Sequence, residues 1–162
     1  MVDNTSRDDG IVVQQAIVDD IPELVRLRRM MFEAMEGHGS PELDAAEVAW
    51  KAYFGRAIPA GEFHAWLAIT PDGEAVSACG VVIDQHPPTP DNLSGRIGYL
   101  MNVVTAPEHR GRGLARRVIQ AALRWLDARG IRRVTLHATD MGQSLYASLG
   151  FAPVSNEMRL KR

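Results

Sequence analysis

The stretch "HRGRGLARRV" (His109–Val118) puts two glycines, four arginines and no acid into ten positions. It follows "LMNVVTAP" (Leu100–Pro107), a run with strand character that ends in proline. After it, Leu114, Val118, Ala122 and Leu126 mark one face of a long helix ending near Gly130. The quoted residues therefore form the turn between a strand and a helix. A helix N-terminus leaves its first backbone N–H groups unpaired and carries positive dipole character. Phosphate oxygens satisfy both. Gly111 and Gly113 permit close approach and unusual φ values, and Ala115 keeps the first turn thin. Arg110, Arg112 and Arg116 add charge around the rim. The local chemistry is that of a pyrophosphate cradle; the competing reading is a glycine-rich turn with solvated arginines. The Walker pattern is absent, and a third glycine for G-x-G-x-x-G is replaced by Arg116.

Working outward, "IVVQQAIV" (Ile11–Val18) predicts a short strand. Asp20 as N-cap, Pro22 in the first turn, Glu23 three residues after the cap and Gly37 as stop frame an amphipathic helix. "GHGSPELD" (37–44) reads as a loop and "AAEVAWKAYFGRAI" (45–58) as a second helix. "EFHAWLAIT" and "AVSACGVVID", joined by "PDGE", predict a β-hairpin turning at Asp72-Gly73. A proline-rich loop leads to the strand "RIGYLMNVVT" (96–105). Beyond the long helix come a strand in "RRVTLHA", a short helix in "DMGQSLYASLG" capped by Asp140, and a closing strand or tight pair in "FAPVSNEMRL". The expected order is β-α-α-β-β-β-α-β-α-β. The fold class is α/β (mixed α+β): one domain over residues 10–162, a mixed central sheet with helices on both faces, behind a disordered tail of residues 1–9.

Composition narrows the function. The chain has 162 residues, 46% hydrophobic and 23% charged, with a net charge of −2. That is a globular domain with no bulk attraction to nucleic acid or membrane. The charge is uneven: residues 1–50 carry eleven acids and four arginines, residues 101–133 eight arginines and two acids. A local basic region in a mildly acidic protein fits a small anionic ligand better than a long polyanion. Aromatics do not interleave with the arginines, which argues against nucleic-acid binding. Cys79 is the only cysteine, no apolar run reaches membrane-spanning length, and the N-terminus is no signal peptide, so the expected location is cytoplasmic. No metal site is expected.

"VVTAPEHRGRGLARRVIQAAL" resembles the pyrophosphate-binding motif of the GNAT superfamily of N-acetyltransferases. The family signature Q/R-x-x-G-x-G/A is matched by Arg110-Gly111-Arg112-Gly113-Leu114-Ala115. A second block, "SLYASLGF" (Ser144–Phe151), looks like the family's L-Y-x-x-L-G-F segment, about 30 residues later. The resemblance implies acetyl-CoA, or another acyl-CoA, as donor. It implies that Gly111 to Arg116 hold the pyrophosphate and that Val103, Val104 and Thr105 pair with the pantetheine arm like a further strand. It implies that Tyr146 protonates the departing thiolate, against the alternative of a tyrosine that merely packs the last helix. Where the family often has Asn seven residues before that tyrosine, this chain has Thr139.

The chemistry implied is attack of an amine on a thioester, with a backbone N–H of Val103 or Val104 for the oxyanion. The strand 96–105 offers no carboxylate as base, only Tyr99 and Asn102. His137 is a candidate base; its alternative is a buried structural histidine. Phe32 and Glu33, with Tyr99, Asn102 and His137, are the candidate acceptor-binding residues. Glu33 and Glu36 would bind an amine cation, or else form a solvated face. Met30, Met31 and Met35 line a pocket or fill core. The acceptor is a small-molecule or peptide amine. A non-catalytic acyl-CoA sensor on the same fold is the alternative. Proteins of this family often pair as homodimers, though no stretch here announces a pairing surface.

Overall fold

In a computed structural model of the chain, residues 9–154 and 158–161 are described. Nine elements run in the order β1 (Val12–Gln15), α1 (Ile21–Glu36), α2 (Pro41–Ala57), β2 (His64–Ile69), β3 (Ala75–Gln85), β4 (Arg96–Thr105), α3 (Leu114–Asp127), β5 (Val134–Leu136) and α4 (Gln143–Ser148). They build one five-stranded sheet in the order β1-β2-β3-β4-β5. The first three pairings are antiparallel and β4–β5 is parallel. The parallel pair needs a crossover, and α3 supplies it.

Each face of the sheet carries its own core. Trp66, Ala68, Val76, Cys79, Val81 and Leu100 meet Leu114, Val118, Ile119, Ala122 and Leu126 of α3. Ala65, Leu67, Ala75, Ala78 and Val104 meet Leu24, Val25 and Leu27 of α1 and Phe54 and Ala57 of α2. The near-continuous apolar run of β3 follows from this: both its faces are covered, and Ala75 to Val81 are all buried. Each aliphatic side chain of α3 taken fully out of water contributes about 1.5–3 kcal/mol, so α3 is the main fastening of its face.

Several local expectations are corrected. The first strand is shorter than Ile11–Val18, ending at Gln15. The Asp20 carboxylate does not cap α1; it accepts from the Ile17 N–H at 2.9 Å and closes the turn before the helix. Glu23 likewise turns away, taking the Ala75 N–H at 2.9 Å and Arg26 at 2.7 Å. The second helix starts at Pro41, inside the expected loop, because the Ser40 hydroxyl accepts the Leu43 N–H. Asp140 lies in a single 3₁₀ turn without a side-chain cap bond, so α4 starts three residues later. The closing strand does not form among the described residues of Phe151–Leu160, and residues 155–157 fall outside them. Of the expected tail only Asp9 is described. It accepts the Ile11 N–H at 3.0 Å and pairs with Arg117 at 3.3 Å, while residues 1–8 of that expectation lie outside the described residues. No helix among the described residues is long and apolar enough to cross a membrane.

Gly80 of β3 packs under Phe63, in the connection between α2 and β2. A Cβ built there would stand 2.5 Å from the Phe63 ring, itself buried. Gly80→Ala is expected to lose about 1–3 kcal/mol of stability through overpacking, measured as a lower denaturation midpoint with unchanged m-value.

Candidate functional site

The site grows out of an irregularity in β4. Ala78 pairs with Val104 and Gly80 with Met101, so Cys79 alone faces both Asn102 and Val103. This bulge bends β4 and raises its local twist. Asn102 takes φ 53°, among the described residues the one non-glycine position at positive φ. Asparagine tolerates that conformation better than most side chains. On the other edge, β5 pairs with β4 only from Gly98 to Leu100. Beyond Leu100 the strands part, and the β4 edge from Met101 to Thr105 has no strand partner on that side among the described residues. Val104 turns its carbonyl to β3, where the Ser77 hydroxyl donates to it at 2.9 Å, so of the three expected residues Val103 and Thr105 are the ones whose backbone groups face the opened edge.

The glycine turn stands at the end of the same edge. Ala106 N–H bonds to Val76 O at 2.8 Å and fixes where β4 ends. A 3₁₀ turn (Pro107–His109) follows, then Arg110 in extended conformation, Gly111 at φ 73° and Gly113 at φ 76° as the residue before α3. Both glycines are required by backbone conformation and not by crowding, since a Cβ at either would meet nothing within 4 Å. No side chain caps α3. The N–H groups of Leu114, Ala115 and Arg116 in its first turn thus keep their donors for an anion.

The arginines around the turn divide into two kinds. Arg110 folds back to Thr105 O at 3.2 Å, Arg112 lies 3.0 Å from His109 Nδ1, and Arg116 donates to the Ser148 hydroxyl at 2.6 Å. Arg116 thereby ties α3 to α4. Arg117 instead belongs to the fold, bonded to Asp9 and to Ile11 O, and Arg112 also reaches Asp9 at 3.7 Å.

Tyr146 reaches the bulge from α4. It packs against the core that contains Cys79, with its ring edge-on to Phe151 at 6.0 Å. Burial, with a smaller contribution from the Cys79 thiol, raises its pKa above the ordinary tyrosine value. The hydroxyl stays protonated through neutral pH, as a proton donor must. Gly142 leaves room for the ring, since a Cβ there would stand 2.9 Å from it.

The candidate acceptor residues do not form one group. The Tyr99 hydroxyl of β4 lies 2.7 Å from Nδ1 of His137, the residue just past the end of β5, where the splay begins. His137 is exposed, which corrects the buried structural alternative. Glu33 is taken by Arg29 at 2.7 Å, inside a network with Asp44 and Glu47. Its charge is already answered, so it is not a free site for an amine cation. Met30 and Met31 pack on the cores, and Met35 is exposed. Phe32 and Asn102 are brought together by two residues the sequence reading passed over. Arg28 donates to Asn102 Oδ1 and stands 5.0 Å from the ring centres of both Phe32 and Trp50. The signal was present: Arg28 sits one turn before Phe32, on the stripe where Leu24 and Met31 are apolar. No group of three or more His, Cys, Asp or Glu residues gathers among the described residues to hold a metal.

The bulge conformation can be tested apart from any ligand. Asn102→Val and Asn102→Gly both remove the bond to Arg28, but only valine meets the left-handed backbone penalty. The valine variant should be the less stable by about 1–2 kcal/mol in urea unfolding.

Comparison with known proteins accounts for this geometry. Residues 22–151 match the model of the acetyltransferase (GNAT) family. The uncharacterized N-acetyltransferase YobR of Bacillus subtilis is 33% identical over 95 residues, 56% of this chain. The chain spans only 35% of that relative's length. Glucosamine 6-phosphate N-acetyltransferase 1 of rice is 28% identical over 124 residues, 75% of this chain and 73% of the relative. A predicted acetyltransferase of Clostridium acetobutylicum, solved with acetyl-CoA, superposes with a TM-score of 0.83 at 25% identity, over 93% of this chain and 96% of that one. A GCN5-related N-acetyltransferase of Ralstonia eutropha gives 0.82 at 27% identity, over 94% and 99%. With its mixed five-stranded sheet, its splayed β4 and a family match over most of its length, the chain belongs to the GNAT family of acetyltransferases.

Proposed function

We propose that the protein is an N-acetyltransferase that moves an acetyl group from acetyl-CoA to a primary amine by direct attack on the thioester. The observation that carries this reading is the β4 edge. It opens immediately after Leu100, holds a bulge at Asn102–Val103, and leads into an uncapped helix behind two left-handed glycines. A pantetheine arm fits the open edge as an added strand along Val103 to Thr105, with its amides on the backbone groups that face that edge. The pyrophosphate fits the N–H groups from Gly111 to Arg116, with Arg110, Arg112 and Arg116 at the rim.

In this mechanism the amine nitrogen bonds to the thioester carbon and the carbonyl oxygen gathers negative charge. Of the two expected donors, the β4 backbone N–H at Val103 stabilises that oxygen, since Val104 pairs with Ala78 of β3. The carbon–sulfur bond then breaks, the Tyr146 hydroxyl gives its proton to the sulfur, and the amine proton leaves to solvent or to His137. Tyr146 and Val103 share one cluster beside Cys79, which supports their working on the same atoms. The setting is the cytoplasm, where a reduced core thiol such as Cys79 persists. A non-catalytic acyl-CoA sensor is the second reading. It is favoured by the lack of any carboxylate on β4 and by the engagement of Glu33 with Arg29.

Titrating acetyl-CoA and assaying thiol release with an amine panel separates these. Saturable binding with amine-dependent thiol release supports the enzyme; binding without transfer to any amine supports the sensor. Tyr146→Phe should lower kcat by about 10- to 100-fold while acetyl-CoA affinity stays within about twofold. An undiminished kcat in a chemistry-limited assay removes Tyr146 from the acid role. Because its pKa is raised, the wild-type rate should hold through neutral pH and fall only as the tyrosine ionises, above pH of about 10. Gly113→Asp, which puts charge and an L side chain at φ 76°, should weaken acetyl-CoA binding by at least about tenfold in a folded variant.

A further inference from the structure

We propose that Arg28 selects the acceptor, and that the acceptor is a small amine carrying an oxyanion, a carboxylate or phosphate, within a few bonds of its nitrogen. This rests on the acetyl-transfer reading and specifies its substrate class.

Arg28 differs from every other described cation of α1 and α2. Arg26 pairs with Glu23, Arg29 with Glu33, Asp44 and Glu47, Lys51 with Glu47, and Arg56 with Glu62. Arg28 has no acidic partner among the described residues. Nevertheless it is partly buried, and burial pulls its guanidinium below the ordinary arginine pKa. An ion taken from water without a counter-charge is a costly arrangement for folding alone. What holds it is weaker than an ion pair: the rings of Phe32 and Trp50, stacked on each other at 5.4 Å, and the Asn102 amide oxygen. Its Nε is buried without a hydrogen-bond partner, the one such side-chain atom among the described residues. That buried Nε adds to the cost of the arrangement and is itself closed to a ligand; the donor capacity left for an anion is on the terminal nitrogens, of which only Nη1 is bonded, to Asn102, among the described residues. A rigid planar fork of this kind matches carboxylate and phosphate oxygens.

Its position puts the anion beside the reacting stretch of β4. Arg28 bonds to the side-chain amide of Asn102, the bulge residue, and Val103 follows in the chain. An acceptor whose anion rests on Arg28 and whose amine attacks a carbonyl held at Val103 therefore has the two groups close together. Amino acids and short phosphoamines have that span.

The test compares matched acceptors with the full chain and acetyl-CoA: amino acids against their carboxamides, and phosphoethanolamine against ethanolamine. The expected result is a kcat/KM preference of about 10- to 100-fold for the anionic member of at least one pair, mainly in KM. The pair that shows it identifies carboxylate or phosphate. Arg28→Gln should erase the preference with acetyl-CoA affinity within about twofold, and Arg28→Lys should keep part of it. Equal use of charged and uncharged members by the wild type would overturn the proposal. So would an Arg28→Gln variant that slows both members alike, since that is what a mere support of the bulge would do. If Arg28→Gln does not fold, the wild-type ratios decide alone. Acetyl-CoA binding with no transfer to any acceptor overturns the enzyme reading instead, and this inference with it.

Discussion

The structure depends on the two unequal edges of β4. One edge is held by β3 along almost its whole length, from Gln85–Arg96 to Ser77–Thr105. The other is held by β5 for three residues only. A strand paired on both sides would have no backbone groups left for a ligand, and a strand paired on neither would have no fixed direction. The long antiparallel ladder gives β4 its direction, and the short parallel one leaves its end open. The bulge opposite Cys79 lies within the ladder, so its irregular backbone is held by ordinary pairs on either side.

Packing protects this arrangement from both faces. Cys79 is fully buried beneath the bulge, with Leu114 and Val118 of α3 in the same core. Val104 belongs to the opposite core, with Leu24 and Leu27 of α1. Successive residues past the bulge are thus anchored to different layers. The Ser77 hydroxyl adds a buried bond to Val104 O at 2.9 Å. The opened edge is therefore rigid, which suits the recognition of an extended arm better than a mobile loop does. The two faces also divide the labour of the site. Tyr146 and the glycine turn approach with α3 and α4, while Arg28, Phe32 and Trp50 approach with the N-terminal helices.

Electrostatics follow the same division. Around the glycine turn Arg110 and Arg116 bond to neutral oxygens, so their charge is not cancelled by an acid within the described residues. On α1 and α2, by contrast, every described cation except Arg28 has an acidic partner. Read from the sequence, Glu33 and Glu36 offer a surface for an amine cation. Pairing reverses that suggestion: Glu33, Asp44 and Glu47 converge on Arg29, and the charge left unanswered beside the bulge is positive.

The amino-acid sequence by itself determined the elements with strong local signals. These are the Asp72-Gly73 hairpin, the four-residue spacing of Leu114, Val118, Ala122 and Leu126, and the two glycines ahead of α3. Each depends on neighbours in the chain, through turn chemistry, helical periodicity or φ. It also placed the motif residues Val103 to Thr105 and Tyr146, because strand and helix order carried them. The tertiary structure decided what depends on partners far along the chain. Asp20 and Glu23 look like caps, yet Glu23 bonds to Ala75, 52 residues away. Glu33 looks available until Asp44 and Glu47 share Arg29 with it. The bulge at Asn102 exists only because β3 offers one residue against two, and Arg28 acquires its place only when α1 crosses that bulge. Local spacing cannot encode such pairings; they arise when separate segments bury their apolar faces on one sheet.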